Sequence, residues 1–232
     1  MFKEKKDFVL GISIGIAAIS LIGFIMMSVA YFNKGNSGDV AKDDKNQVAK
    51  EDDNKEPAPD KPIDIKVSDS DHVRGNKNAK ITIASFSDFQ CPYCSKFHET
   101  MKQVMAAYPN DVRWVFKSFP LEQIHPFAKK ASEAAECASE QGKFWEYSDK
   151  LFENQSSFGN DYFSTLAKQM KLDSGKFDKC LADGKYASKV AGDAQLGQSI
   201  GVRGTPASFI NGELVSGAVP FETVKAKIDS LK

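Results

Sequence analysis

Two cysteines separated by only two residues, Cys91 and Cys94, lie where a strand pattern ends and a helix pattern begins. Residues 81–86 alternate in the manner of a buried strand. After the cysteines, apolar residues recur at three- and four-residue spacing over 97–108, which predicts an amphipathic helix. A second strand pattern follows at 112–116, and the crossover makes the two strands parallel. The cysteine pair is therefore predicted at the strand-to-helix junction of a β-α-β unit.

The rest of the chain completes an α/β pattern around this unit. Residues 126–201 are helical in pattern throughout, with four or five helices and with Asn160 and Asp173 as possible N-caps. Two short strand patterns joined by an Asn-Gly pair at 211–212 predict a hairpin. A final amphipathic helix follows at 221–231. The order β-α-β, helical block, β-β-α predicts a mixed sheet with helices on both faces and an inserted helical subdomain.

A closely spaced cysteine pair at a helix start favours redox chemistry. Unpaired backbone N–H groups and the helix dipole favour a thiolate at Cys91, interpreted as the exposed attacking group, and Cys94 one turn later resolves a mixed disulfide. A static structural disulfide is an alternative, but so short a ring stabilises little. A metal site completed by His98 is another, although no second ligand pair exists. His98, His72 and His125 are each interpreted as surface or satisfied core residues.

A second motif, Gly204-Thr205-Pro206, lies directly before the hairpin, where a proline must begin a strand or adopt a cis peptide. Together, Phe89-Gln90-Cys91-Pro92-Tyr93-Cys94, the helical block and residues 201–209 resemble the DsbA-type thiol-disulfide oxidoreductases, which have a thioredoxin fold. The resemblance covers roughly residues 70–232. It implies that Pro206 is cis and packs against the active-site disulfide, and that Thr205 and Pro206 offer backbone groups to an extended substrate strand. No metal or diffusible cofactor is expected.

The chain departs from the best-known DsbA enzymes between the two cysteines, where Tyr93 stands in place of a histidine. Pro92 and Tyr93 are expected to tune the redox potential, and Tyr93 brings a hydroxyl but no cation. Thr205 occurs in relatives of both redox directions, so it does not distinguish an oxidase from an isomerase. Asp88 is interpreted either as a buried proton relay near Cys94, which would also tune the pair, or as a loop-end carboxylate that caps the helix.

Two further cysteines, Cys137 and Cys180, fall on different predicted helices of the insertion. In a compartment where free thiols oxidise, a structural disulfide between them is the natural interpretation. A second catalytic pair is the alternative, but it lacks the close spacing and the helix-start position of Cys91 and Cys94.

The N-terminal part of the chain predicts attachment to a membrane. After a short basic segment at 1–7, residues 8–32 form a stretch of 25 residues without a charge, more than the ~20 that a spanning helix needs. A cleaved signal peptide is the alternative, and both interpretations export the C-terminal bulk of the chain. Residues 33–62 contain fourteen charged residues and three prolines, which predicts a disordered linker. Residues 63–232 are then the DsbA-like domain, with the helical insertion at about 121–200.

Charge composition argues against one class of partner. The 31 basic residues are balanced by 31 acidic ones, so there is no basic excess for binding nucleic acid.

The sequence predicts a single-pass membrane protein whose extracytoplasmic domain oxidises cysteine pairs in exported proteins. The resemblance implies reoxidation by a quinone-linked membrane partner of the DsbB or VKOR-like type. A disulfide isomerase or reductase remains the nearest alternative, followed by a metal-binding or chaperone-like thioredoxin-fold module.

Overall fold

A mixed five-stranded sheet organises residues 62–232, the part of the chain that the structure, a computed structural model, describes. Its strand order is β1-β3-β2-β4-β5. Strands β2 and β3 run parallel, and every other neighbouring pair is antiparallel. The strands are β1 (His72–Gly75), β2 (Ile81–Ser87), β3 (Val112–Ser118), β4 (Ala207–Ile210) and β5 (Glu213–Ser216).

Seven α-helices accompany the sheet within the same residues, and five of them form the block between β3 and β4. The helices are α1 (Pro92–Ala107), α2 (Ala128–Ser139), α3 (Phe144–Glu153), α4 (Tyr162–Gln169), α5 (Ser174–Ala182), α6 (Ala187–Ser199) and α7 (Phe221–Asp229). A 3-10 turn, Gln155–Ser157, follows α3. The predicted α/β order with a mixed sheet is confirmed.

The membrane anchor predicted at 8–32 and nearly all of the predicted linker lie outside the described residues. None of the helices between residues 62 and 232 has the length and apolar character needed to cross a bilayer.

The structure differs from the sequence prediction at two places. Strand β1 was not predicted, because His-Val-Arg-Gly has no apolar alternation; it forms by antiparallel pairing with β3, with Val73 opposite Val115. Helix α4 has Asp161 rather than Asn160 at its N-cap position, and no side chain caps it. Asp173 does cap α5 by accepting a hydrogen bond from the Lys176 N–H.

Helices cover both faces of the sheet, and the cysteine pair belongs to the core of the helical insertion. Helices α1 and α7 pack together over one face, and α6 packs on the sheet from the other side. Helices α2 to α5 have their own buried core, which also includes Phe89, Phe116, Cys91 and Cys94. The end of β2 and the start of α1 therefore lie where the sheet meets the helical insertion.

Candidate active site

Helix α1 begins at Pro92, and Cys91 is its N-cap residue with an extended backbone. Proline suits the first helical position because that position needs no N–H donor and its φ is already helical. No side chain caps this helix. The backbone N–H groups of its first turn, at the positive end of the helix dipole, are therefore available to a negatively charged Cys91 sulfur.

The two thiols, both free in this structure, differ in acidity. A hydrogen bond from the Cys94 thiol lowers the pKa of Cys91 to about 6, against the opposing effect of burial. Backbone N–H groups of Tyr93 and Cys94 lower it further. Burial raises the pKa of Cys94 far above that of an ordinary thiol, and the negative Cys91 sulfur raises it more. The pair therefore consists of one thiolate and one firmly protonated thiol at neutral pH.

The prediction that Cys91 is exposed is wrong, since only 4% of the residue is accessible and only 1% of Cys94. The reason is that Cys91 packs into the core of the helical insertion and its sulfur lies 3.5 Å from the Thr205 carbonyl oxygen. Tyr93, 62% exposed, forms the surface at this helix start. Acidity distinguishes the two thiols far more than exposure does.

The loop before β4 lies against the cysteines. The Thr205-Pro206 peptide bond is cis, and Cys91 Sγ lies 3.5 Å from the Thr205 carbonyl oxygen, to which the thiol donates when it is protonated. The Pro206 carbonyl oxygen accepts a hydrogen bond from the Gly217 N–H at 2.9 Å, so it is already engaged within the chain. Of these two carbonyls, the one that faces the reactive sulfur belongs to Thr205.

Asp88 is fully buried, as the relay interpretation expected, but its carboxylate does not have the helix-capping role of the other interpretation. The carboxylate accepts hydrogen bonds from the backbone N–H groups of Gln90 at 2.7 Å and Leu121 at 2.8 Å, and pairs with His125 Nδ1 at 2.8 Å. It does not cap α1. The group that contacts Cys94 Sγ, at 3.4 Å, is the backbone N–H of Asp88 rather than its carboxylate. A relay role for Asp88 stays a prediction.

One polar residue of the site was missed by the sequence analysis. The Gln155 side-chain amide donates from Nε2 to the carbonyl oxygens of Phe89, at 2.8 Å, and Cys91, at 2.9 Å. Gln155 opens the 3-10 turn after α3, 64 positions from Cys91. The polar run at 154–157 gives only a loop signal, so nothing in a single sequence identifies this contact.

Each histidine pairs with a carboxylate through one ring nitrogen, although Nδ1 of the buried His98 has no hydrogen-bond partner among the described residues. His98 is buried, and its Nε2 lies 2.7 Å from Asp149 Oδ1. Burial works against ionisation of Asp149, but hydrogen bonds from His98 and Arg74 outweigh it and lower the pKa of this carboxyl. His72 pairs with Glu136. Between residues 62 and 232, no cluster of three metal-ligating side chains is placed to hold an ion.

The predicted bond between Cys137 and Cys180 is present and joins α2 to α5. Their Cα atoms are 5.8 Å apart, within the ~4.4–6.8 Å that disulfides span. Both residues lie inside their helices and are buried. Their environment differs from the helix-start position of Cys91.

Comparison with known proteins places the chain in a family. A family model described as Thioredoxin matches residues 67–230. The chain is 36% identical over 162 residues to the Na(+)/H(+) antiporter NhaA 3 of Salinispora tropica, which covers 70% of this chain and 25% of that protein. It is 32% identical to the antiporter NhaA 1 of Mycolicibacterium vanbaalenii, with 67% and 26% covered. The chain thus spans about a quarter of the length of these curated relatives.

Solved structures of low sequence identity share the fold. The thiol-disulfide exchange protein α-DsbA2 of Wolbachia pipientis superposes with a TM-score of 0.64 at 20% identity, covering 70% of this chain and 88% of that one. Oxidised BdbD of Bacillus subtilis gives a TM-score of 0.63 at 23% identity, with 69% and 92% covered. The chain therefore belongs to the thioredoxin family and has the fold of the DsbA-type thiol-disulfide oxidoreductases.

Proposed function

We propose that this protein is a dithiol-disulfide oxidoreductase that uses Cys91 and Cys94 to introduce disulfide bonds into exported proteins. The observation that carries the proposal is the difference between the two thiols. Cys91 is a low-pKa N-cap residue beside the Thr205 carbonyl, and Cys94 is a buried thiol of raised pKa that donates to it. Stabilising the Cys91 thiolate stabilises the reduced pair, and this makes the corresponding disulfide a stronger oxidant.

The reaction proceeds by two successive exchanges that conserve electrons. A substrate thiolate attacks Cys91 Sγ of the enzyme disulfide, a substrate-to-Cys91 bond forms, and Cys94 leaves as a thiolate that takes up a proton. A second substrate thiolate then attacks the substrate sulfur of this mixed disulfide and expels Cys91 as a stable thiolate. The substrate loses two electrons and gains a disulfide, and the enzyme pair gains those two electrons.

The neighbouring residues have roles that this scheme defines. Pro206 and Thr205 are proposed to border the groove in which the extended substrate strand lies, with the Thr205 carbonyl oxygen next to the attacked sulfur. Pro92 and Tyr93 set the environment of the first turn of α1. Asp88 is proposed to tune the pair through its N–H contact with Cys94 Sγ.

The proposed cellular setting is a cell membrane, with the catalytic domain on its extracytoplasmic side. Residues 8–32 would be the anchor, 33–62 the linker and 63–232 the catalytic domain, with 121–200 as its helical insertion. The uncharged N-terminal stretch supports this arrangement, as does the Cys137–Cys180 disulfide, because such bonds persist in oxidising compartments. A quinone-linked membrane protein of the DsbB or VKOR-like type would take the two electrons and restore the Cys91–Cys94 disulfide.

The test is oxidation of a reduced peptide with two cysteines by the purified, oxidised protein. We expect one peptide disulfide to form for each Cys91–Cys94 disulfide consumed, at a rate unaffected by a metal chelator. A protein that binds the peptide or a stoichiometric metal ion without changing the peptide's thiols would contradict the proposal and support a binding module instead.

A further inference from the structure

One contact in the site that the exchange scheme does not use joins Gln155 to the backbone just before α1. A single amide nitrogen, Nε2, donates to both the Phe89 and the Cys91 carbonyl oxygens. These two carbonyls belong to the N-cap cysteine and to the residue two positions before it. Gln155 comes from the helical insertion, so one side chain fixes the backbone of the reactive cysteine from outside its own loop.

The Cys91 carbonyl oxygen has a second hydrogen-bond partner, and this bond links its position to the start of α1. It accepts the Ser95 N–H at 3.2 Å, the first hydrogen bond of α1. The Ser95 hydroxyl in turn donates to the Phe152 carbonyl oxygen at 3.1 Å, near the end of α3. The first turn of α1 is thus attached to the corner between α3 and the 3-10 turn at two points.

Two physical effects connect this corner to the Cys91 sulfur. Movement of the Cys91 backbone would take Sγ away from the Cys94 thiol and from the N–H groups of the first turn, which stabilise its negative charge. In addition, carbonyl oxygens are the negative ends of peptide dipoles, and a donor placed on them reduces their repulsion of a nearby thiolate. Both effects favour the thiolate while the Gln155 amide is in place.

We propose that Gln155 is a positioning residue for disulfide exchange, which holds the Cys91 and Phe89 carbonyls so that the helix start stabilises the Cys91 thiolate. The proposal rests on the proposed function for its consequence in catalysis. The geometric part concerns only the state of the Cys91 sulfur. The helical insertion therefore contributes directly to the redox pair through Gln155, in addition to enclosing it.

The chain offers a matched control in Gln141. Its side chain is also partly buried and makes two hydrogen bonds to backbone. The nitrogen donates to the Asp173 carbonyl oxygen at 3.2 Å, and the oxygen accepts the Asp173 N–H at 2.8 Å. These bonds fix the start of α5 and not the start of α1. Loss of Gln141 thus reproduces the structural cost of removing such a glutamine without touching the active-site loop.

The experiment compares Gln155→Met, Gln155→Glu and Gln141→Met in the full chain. The pKa of Cys91 is followed by thiolate absorbance, the redox equilibrium by titration with glutathione, and folding by thermal denaturation. For Gln155→Met we expect the Cys91 pKa to rise by about one unit and the equilibrium to shift severalfold toward the disulfide. Gln155→Glu should raise the pKa more, because a carboxylate repels both carbonyls and the thiolate. Gln141→Met should change neither quantity.

Two results would overturn the proposal. One is an unchanged Cys91 pKa in Gln155→Glu, which is nearly isosteric and so decides the matter even if Gln155→Met does not fold. The other is an equal rise in Gln141→Met, which would indicate general loosening of the insertion. If the wild-type protein fails to oxidise a dithiol peptide, the proposed function fails, while the pKa comparison still decides the role of Gln155.

Discussion

Cys91 and Cys94 share one buried core with Cys137 and Cys180, but the two pairs differ in spacing, backbone position and partners. The first pair is separated by two residues and begins a helix. The second pair lies 43 positions apart in the sequence, inside two helices. Only the first pair has an uncapped helix start and an inter-thiol hydrogen bond that favours a thiolate.

Burial therefore does not determine whether a cysteine pair is reactive. All four residues are at most 5% exposed. The difference comes from the hydrogen-bond donors around Cys91, which make one sulfur a good leaving group. The Cys137–Cys180 disulfide stabilises the fold because it closes a long loop of the chain. A Cys91–Cys94 disulfide would close only a four-residue ring and would stabilise it little.

The largest expected effect is the loss of activity on removing either sulfur of the first pair. Cys91→Ser should abolish oxidation of a dithiol peptide, because no enzyme disulfide can form. Cys94→Ser should abolish it too, but its Cys91 thiolate should then attack partner disulfides and form long-lived mixed disulfides, since Cys94 is no longer present to attack Cys91 Sγ and release the partner. Trapped species are counted by non-reducing electrophoresis and mass spectrometry. Mixed disulfides at Cys94 in Cys91→Ser, and none in Cys94→Ser, would reverse the assigned roles.

Removal of the second pair should affect stability and leave the chemistry in place. The double variant Cys137→Ala, Cys180→Ala should lose about 4 kcal/mol of unfolding free energy, the chain-entropy value for a loop of this length. Peptide oxidation below its unfolding temperature should match the wild type. Denaturant unfolding of both proteins measures the first quantity. A variant that folds normally but no longer oxidises the peptide would place this second pair in the catalytic cycle.

Much of this comparison could be predicted from the sequence, because it depends on local patterns. The strand, the two-residue spacing and the helix period around Cys91 are all local, and so is the proline before β4. Strand β1 and the two hydrogen bonds of Gln155 could not be predicted, because each depends on a partner distant in the chain. The burial of Cys91 could not be predicted for the same reason, because the Thr205 carbonyl and the helical insertion, both distant in the chain, cover this residue.

A smaller effect concerns pH. Because the pKa of Cys91 is lowered to about 6 in the folded protein, its thiolate stabilises the reduced form fully above the unfolded pKa of about 8.5. This contribution decreases as pH falls and is lost at about pH 6. Alkylation of reduced wild type by iodoacetamide should accordingly be fast at pH 7 and fall about tenfold per unit well below pH 6. The Cys91→Ser variant should show no such phase, and a midpoint near pH 8.5 would refute the lowered value.

The smallest expected effect sharpens the role of the residues between the cysteines. Tyr93 is exposed in the first turn of α1, and Lys96 Nζ lies 5.5 Å from the centroid of its ring. Tyr93→His places an ionisable imidazole at this position. The Cys91 pKa should fall by a fraction of a unit and the disulfide should become a slightly stronger oxidant. Tyr93→Phe is the control, because it removes the hydroxyl without adding charge. A shift of equal size in both variants would assign the effect to the lost hydroxyl.

The most direct test is the reduction potential of each cysteine pair in the same protein, measured in redox buffers by counting alkylated cysteines on each peptide. We expect the Cys91–Cys94 pair to be more oxidising than thioredoxin, whose potential is about −270 mV. We expect the Cys137–Cys180 pair to lie below about −300 mV, as structural disulfides do. A Cys91–Cys94 potential at or below that of thioredoxin would contradict the oxidase account and favour a reductase or isomerase.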